Sequence, residues 1–179
     1  MPQAVTHVLI ALIIGSFIRD YFIRDKKSFP LHYVLILGLA GLLPDLDIAV
    51  FWILYFIKGI SLSEVHRTFT HTLFFSAIFF LASALTLKFK NKSLGRHHLK
   101  IHTILWIIGL GILIHLGLDA IIAGQIRPFY PLSDFRIGNN LVSSLTPQLT
   151  SIFWSCLDAA LLVLWLIYVE WKHKISDFL

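Results

Sequence analysis

The chain has 179 residues, of which 57% are hydrophobic and only 14% are charged. A soluble domain averages about 45–50% apolar and about 25% charged residues, so this chain has too few charges to cover a water-soluble surface. The composition argues against a disordered chain, a cytosolic nucleic-acid-binding protein and an ordinary soluble enzyme, and predicts an integral membrane protein. The single cysteine, Cys156, excludes an internal disulfide and a cysteine-rich metal centre.

Five apolar stretches predict an all-α membrane bundle of about five transmembrane helices. They run approximately from Ala4 to Ile18, Leu31 to Leu43, Phe69 to Leu87, Thr103 to Leu118 and Ile152 to Val169. A full crossing takes about 20 apolar residues, so the third and fifth stretches are long enough and the others are slightly short. A sixth stretch, Ile48 to Ile57, is too short to cross and predicts a re-entrant or interfacial helix. No linker or repeat divides the sequence, so residues 1–179 are expected to form a single membrane domain.

The basic residues predict the direction of the helices. Most of the 15 Lys and Arg residues fall after the first stretch, after the third stretch and in the tail. If the five stretches cross in turn, these three segments share one side, and positive charge concentrates on the cytoplasmic side. The two longer connections, Pro44 to Thr68 and Ile121 to Ser151, then face outward from the plasma or inner membrane.

Seven ionisable residues are predicted to lie at the outward ends of these stretches. Such groups are expensive at membrane depth and usually mark a site. They are His7, Asp45, Asp47, His66, His71, His115 and Asp119. The topology is predicted from the Lys and Arg residues alone, yet it brings all seven ionisable residues to one face. The sequence therefore predicts one polar site on the extracytoplasmic face.

The spacing of these residues is typical of metal ligands. His115 and Asp119 are four apart, so they share one helix face and can hold one ion. His66 and His71 are five apart, about 140° around a helix, so they converge only if a helix begins after His66. Three histidines with one or two carboxylates form a catalytic zinc site with an open position, and all seven residues could hold two ions. Zinc suits these ligands best, and manganese or iron remains possible.

Simpler interpretations exist for each residue. Asp45 or Asp47 could cap the following helix, His7 could be an interfacial histidine bonded to a carbonyl, and the HxxxD pair could form an ordinary hydrogen bond. Asp158 is an intramembrane acid that could bond to a neighbouring helix, and it is left outside the predicted site. The remaining histidines lie in or beside the basic segments and are expected to be solvated or to face headgroups: His32, His97, His98, His102 and His173.

The motifs resemble those of a known family. In chain order they are Thr6-His7, Leu43-Pro44-Asp45-Leu46-Asp47, His66-Arg67-Thr68-Phe69-Thr70-His71-Thr72, and His115-Leu116-Gly117-Leu118-Asp119, with Gly124 and Pro128 beyond. They look like the YdjM-like family of membrane-bound, predicted metal-dependent hydrolases, over residues 6 to about 131. PDLD together with HRxxTH is fairly specific, whereas either motif alone would be weak. The family often has Gly and Ser where this chain has Thr68 and Thr72.

The resemblance implies a hydrolase, and the pattern is distantly similar to zinc-dependent phospholipase C, an all-helical fold with clustered zinc ions. That similarity implies the same ligands: His7, Asp45, Asp47, His66, His71, His115 and Asp119. Zinc would lower the pKa of its water from about 15.7 to about 7. One of Asp45 and Asp47 would act as the general base while the other ligates, and Arg67 would clamp an anionic oxygen. Arg127 could do the same or could hold helix depth through a headgroup contact.

The position of the site predicts the substrate class. A site at the membrane surface meets lipid headgroups first, so we expect an ester or phosphoester of a lipid or lipid-linked molecule, with membrane lipids as partners and no nucleic acid. The alternative is a divalent-metal-binding membrane protein or transporter, whose ligands should recur along a path through the bilayer. A bis-histidine haem protein would use His7 and His115 but would leave the carboxylates unexplained. A purely structural membrane protein would need none of the seven residues.

Overall fold

A computed structural model describes residues 4–88, 93–94, 99–142 and 144–174. The described residues confirm an all-α fold. The helices are α1 (Ala4–Phe17), α2 (Leu31–Ala40), α3 (Asp47–Lys58), α4 (Leu62–Val65), α5 (Leu73–Thr86), α6 (Ile101–Leu118) and α7 (Pro147–His173). Two short antiparallel strands, β1 (Ser93–Leu94) and β2 (Leu99–Lys100), pair before α6. The expectation for His97 and His98 lies outside the described residues.

Several helices are extended or connected by short non-α turns. Turns of π-helix, Ile18–Phe22 and Asp119–Ala123, extend α1 and α6. Turns of 3₁₀-helix, Leu43–Leu46 and Phe69–His71, precede α3 and α5. The chain therefore departs from α-geometry next to most of the predicted site residues.

Among the residues that the structure describes, three helices are long and apolar enough to cross a membrane. They are α1 with its π-turn, α6 with its π-turn, and α7. A fourth span results if α2 and the segment Leu43–Lys58, which are bent by 47°, count as one. Helix α5 has only 14 residues, because the 3₁₀ turn ending at His71 occupies the start of the predicted third stretch and Thr72 caps the helix by accepting a hydrogen bond from Phe75 N.

Helices α1, α2 and α6 pack closely because glycines lie at their contacts. Gly38 lies against Leu12 of α1, and Gly111 of α6 lies against Ala40 of α2. Small residues of this kind allow close helix approach in membranes. Helix α5 packs on α6, where Ser76 Oγ donates to Gly109 O at 2.9 Å. Helix α7 packs on α1, and Thr6 Oγ1 donates to Asp158, so this intramembrane acid does bond to a neighbouring helix.

The two ends of the bundle differ in their charged residues. At one end, Asp20 contacts Arg19 at 2.8 Å and His173 at 3.0 Å, which brings the end of α1 to the end of α7. Tyr33 at the start of α2 accepts a hydrogen bond from Lys100 N just before α6, and the connection after α1 lies at this same end. The seven predicted site residues lie at the other end.

Candidate metal centre

The structure brings all seven predicted residues together. His7 comes from α1, Asp45 from the first 3₁₀ turn and Asp47 from the first residue of α3. The segment after α4 contributes His66 and His71, and the end of α6 contributes His115 and Asp119. His66 lies outside a helix and His71 ends a 3₁₀ turn, so the two imidazoles are not held 140° apart on one helix. Their ring centroids are 4.9 Å apart.

Four side-chain atoms form the centre of this cluster. His71 Nε2 lies 3.2 Å from His115 Nε2. Asp45 Oδ1 is 3.5 and 3.6 Å from these two nitrogens, and Asp119 Oδ2 is 3.7 and 3.8 Å from them. Tetrahedral ligands at about 2.0–2.1 Å from zinc are about 3.3–3.4 Å apart. His71, His115 and Asp119 therefore need only a small contraction to hold a zinc-sized ion, and Asp45 lies beside the two imidazoles.

His7 and His66 flank these four atoms. His7 Nε2 is 3.5 Å from Asp119 Oδ1, and its ring stacks on His115 with centroids 3.9 Å apart. Three groups of possible ligands can be drawn from the described residues: His7, Asp45 and His115; Asp45, His66 and His71; and His71, His115 and Asp119. Because Asp45 belongs to two of these groups, the geometry can accommodate two ions that share a carboxylate.

Asp47 lies behind these residues and orients two of them. Its Oδ1 is 2.8 Å from His66 Nδ1, and its Oδ2 is 3.4 Å from His71 Nδ1. Thr70 Oγ1 and Arg67 N–H also donate to Oδ2, at 2.8 and 3.3 Å. A carboxylate that holds the Nδ1 side of an imidazole leaves Nε2 available to a metal. These contacts favour an orienting role for Asp47, while its role as a ligand or a base stays a prediction from the sequence.

The backbone orients the remaining central imidazole. Gly41 O accepts from His115 Nδ1 at 2.8 Å, which directs Nε2 of His115 toward His71. Sequence reasoning missed this acceptor because a main-chain carbonyl has no signature in the sequence. It also missed Thr70, although this residue lies inside the HRxxTH motif. His71 and His115 therefore both present Nε2 to the centre.

The simpler interpretations do not account for this geometry. No side-chain hydrogen bond caps α3 at its N-cap, Leu46, so neither aspartate caps that helix. His7 is only 1% exposed, which does not fit an interfacial residue. The shortest described contact of the HxxxD pair is 3.8 Å, too long for a hydrogen bond.

The centre is buried except at one carboxylate. His71 and His115 have no exposed surface and Asp119 is 2% exposed, whereas the side chain of Asp45 is 15% exposed. Asp45 lines an apolar groove of about 440 Å³, together with Leu42, Leu46, Ile48, Ala49, Trp52 and Ala4. Access to the centre from this groove passes Asp45.

A second cavity lies on the other side of Asp119. Arg67 Nη2 is 3.3 Å from Asp119 Oδ2, and the Arg67 backbone is left-handed with φ of 61°. Arg67 lines a polar cavity of about 240 Å³ with Gln125, Arg127 and Arg136. The sequence singled out Arg67 and Arg127 as clamps for an anion, but it gave no signal for Arg136.

The fold and its buried polar cluster define a helical membrane protein with a candidate metal site at one end. The sequence matches the family model of the YdjM inner membrane protein over residues 1–175. The chain belongs to this family, which confirms the family membership that the motifs predict. It is therefore an inner-membrane protein. No curated protein and no solved structure matches the chain.

Proposed function

We propose that the protein is a membrane-embedded, metal-dependent hydrolase that cleaves an ester or phosphoester bond of a lipid or lipid-linked substrate. The observation that carries this proposal is the convergence of His71, His115 and Asp119, whose donor atoms lie 3.2 to 3.8 Å apart. Three protein ligands leave one position open for water, and Asp45 Oδ1 lies 3.5 and 3.6 Å from the two imidazole nitrogens. Zinc is the preferred metal for this donor set, with manganese or iron as alternatives.

The residues around the centre fit hydrolysis. A bound divalent ion supplies a water molecule of lowered pKa, about 7 for zinc. Asp45 is the partly exposed carboxylate and lies where substrate enters, so it is placed to take the proton of that water. Asp47 accepts three hydrogen bonds, one of them from His66 Nδ1, and its Oδ2 lies 3.4 Å from His71 Nδ1, so it holds the imidazoles in place. Arg67 supplies a fixed positive charge for negative charge that develops on the substrate.

The apolar groove supports a lipid substrate. Its walls are mainly apolar and include Asp45, so an acyl chain in the groove would bring a headgroup ester next to the centre. The helices around it expose large apolar side chains, including Trp52 at 52%, as expected of a surface in contact with lipid. We place this site on the extracytoplasmic face, because the described basic residues Arg19, Lys100 and Lys172 lie at the opposite end of the bundle.

The proposal is tested by metal analysis and hydrolysis assays on the full chain in detergent. We expect wild type to purify with stoichiometric metal and to release product from phospholipid. His115→Ala should lose most of the metal and the activity. His102→Ala is the matched control, because His102 lies on the same helix but far from the centre. Full metal content in His115→Ala would contradict the ligand assignment, and metal-loaded wild type that cleaves no ester or phosphoester would contradict the hydrolase.

Metal transport is the alternative class. A transporter should repeat its ligands along the bilayer, whereas the three ligand groups among the described residues all lie at one end. Asp20, the buried acid at the other end, is already engaged by Arg19, Tyr168 and His173. A haem held between His7 and His115 is also disfavoured, because their rings stack directly at 3.9 Å and leave no space for a porphyrin.

A further inference from the structure

The polar cavity beside the metal centre concentrates positive charge. Three of its four lining residues are arginines: Arg67, Arg127 and Arg136. The only described carboxylate near Arg127 is Asp134, whose Oδ1 is 3.7 Å away on a side chain that is 83% exposed. Contacts of that kind contribute little in water. The cavity therefore carries charge that the described part of the chain does not neutralise.

The backbone brings two of these arginines to the same cavity. Ile126 and Ile137 form an antiparallel bridge, with reciprocal N–H to O distances of 2.8 and 3.0 Å. Arg127 directly follows Ile126 and Arg136 directly precedes Ile137, so this bridge holds the two arginines beside the same cavity. Like charges held close together repel each other. An anion between them would convert this repulsion into attraction.

Arg67 approaches the same cavity from the metal centre. Its side chain is 22% exposed, and its Nε is buried without a hydrogen-bond partner among the described residues. Its Nη2 is near Asp119 but lacks the geometry of a hydrogen bond. A buried guanidinium donor without an acceptor is costly. Arg67 thus has donors available on the side of the cavity and a charge contact to a candidate metal ligand.

From these observations we infer that the cavity lined by Arg67, Arg127 and Arg136 binds a doubly charged phosphate group of the substrate. The guanidinium groups of arginine match the geometry of phosphate oxygens. The three arginines contact two carboxylates, Asp119, which is also a candidate metal ligand, and Asp134, which is exposed to water. The positive charge that remains in the cavity suits a doubly charged ligand better than a singly charged one. This inference rests on the proposed function and narrows it, because it selects phosphate-bearing substrates over neutral esters.

The test measures binding of inorganic phosphate to full-length protein from which metal has been removed by a chelating resin. Without metal, phosphate binding reports on the arginine cavity alone. Arg127→Gln and Arg136→Gln should each weaken phosphate binding at least about tenfold, because each removes charged donors. Lys58→Gln, an exposed cation at the end of α3 outside the cavity, should bind like wild type.

Equal phosphate affinity in wild type and both arginine variants would overturn the inference, as would a wild type that binds no phosphate. Metal content of the same proteins separates the two proposals. Normal metal content with lost phosphate binding in Arg136→Gln supports the cavity independently of the centre. If His115→Ala keeps its metal while the arginine effect holds, the metal assignment fails and the phosphate cavity stands.

The source of the phosphate is distinguished by competition. Dihexanoyl phosphatidic acid and glycerol 3-phosphate carry the same phosphate monoester, with and without acyl chains. Stronger displacement by the lipid supports a lipid-borne phosphate, and equal displacement supports the same phosphate chemistry on a soluble molecule. Dihexanoyl phosphatidylcholine, whose phosphate is a singly charged diester, should compete poorly. Equal competition by this lipid and the phosphatidic acid would contradict recognition of a dianion.

Discussion

Asp47 shows how a single residue can shape the centre without lying in it. Its two oxygens accept three hydrogen bonds, one of them from His66 Nδ1, and Oδ2 lies 3.4 Å from His71 Nδ1. Metal-binding histidines are commonly oriented by such carboxylates, and loss of the carboxylate weakens metal affinity without removing a ligand. Loss of the Asp47 carboxylate should therefore reduce metal affinity without abolishing metal binding.

We predict that Asp47→Asn lowers zinc affinity about 10- to 100-fold. The amide retains one acceptor but presents an NH₂ group to surrounding donors, so at least one imidazole loses its orientation. Competition against a zinc-chelating dye measures the effect, and thermal unfolding shows whether the fold persists. Asp134→Asn serves as the control, since this aspartate is 83% exposed. Complete loss of metal in a folded Asp47→Asn protein would instead indicate a direct ligand.

The close packing of helices α2 and α6 helps to position the metal centre. A Cβ at Gly111 would lie 2.5 Å from Ala40 Cβ and 3.0 Å from Leu37 O, and neither neighbour is the end of a flexible side chain. One residue beyond Ala40, Gly41 O accepts from His115 of α6. Helix packing and imidazole orientation therefore depend on the same close contact.

We predict that Gly111→Ala destabilises the protein by about 1–3 kcal/mol, as overpacking usually does, and also weakens zinc binding. Gly117→Ala on the same helix is the matched control, because a Cβ there meets nothing within 4 Å. Since alanine favours helix by about 1 kcal/mol over glycine, this control should be neutral or stabilising. Thermal unfolding and zinc titration of both variants provide the comparison, and equal behaviour of the two would argue against the close contact.

The π-turn after α6 connects the metal centre to the arginine cavity. Asp119 begins this turn, and Ala120 O accepts from Asn139 N at 2.7 Å, which fastens the segment carrying Arg127 and Arg136. Single π-turns often occur at functional sites. Apolar periodicity predicts the helix up to Leu118, but it does not reveal where the backbone widens from α to π.

At the scale of the whole molecule, the distribution of charge makes a prediction about orientation. On a Cys156→Ser background, Ser133→Cys near the centre should react with a membrane-impermeant maleimide in intact cells after the outer membrane is opened. Lys27→Cys at the other end should react only after the inner membrane is permeabilised. The reverse pattern would place the site in the cytoplasm. Both positions are exposed, so access and not burial decides the result.

Much of this molecule could be predicted from the sequence because the membrane makes polar residues conspicuous. In apolar helices, a histidine such as His115 or an aspartate such as Asp119 stands out, and basic residues indicate which helix ends lie together. Helix lengths were harder to predict from the sequence, because the start of α5 depends on a 3₁₀ turn and on the N-cap by Thr72. The acceptor Gly41 O and the placement of Arg127 and Arg136 beside one cavity arise only from contacts between distant segments.

The left-handed backbone of Arg67 has a consequence for how this chain can change over evolutionary time. A residue with a side chain pays about 1–2 kcal/mol for that conformation, and glycine would adopt it freely. Selection for stability alone would therefore favour glycine at this position. An arginine here lowers stability but holds a guanidinium group between the metal centre and the polar cavity.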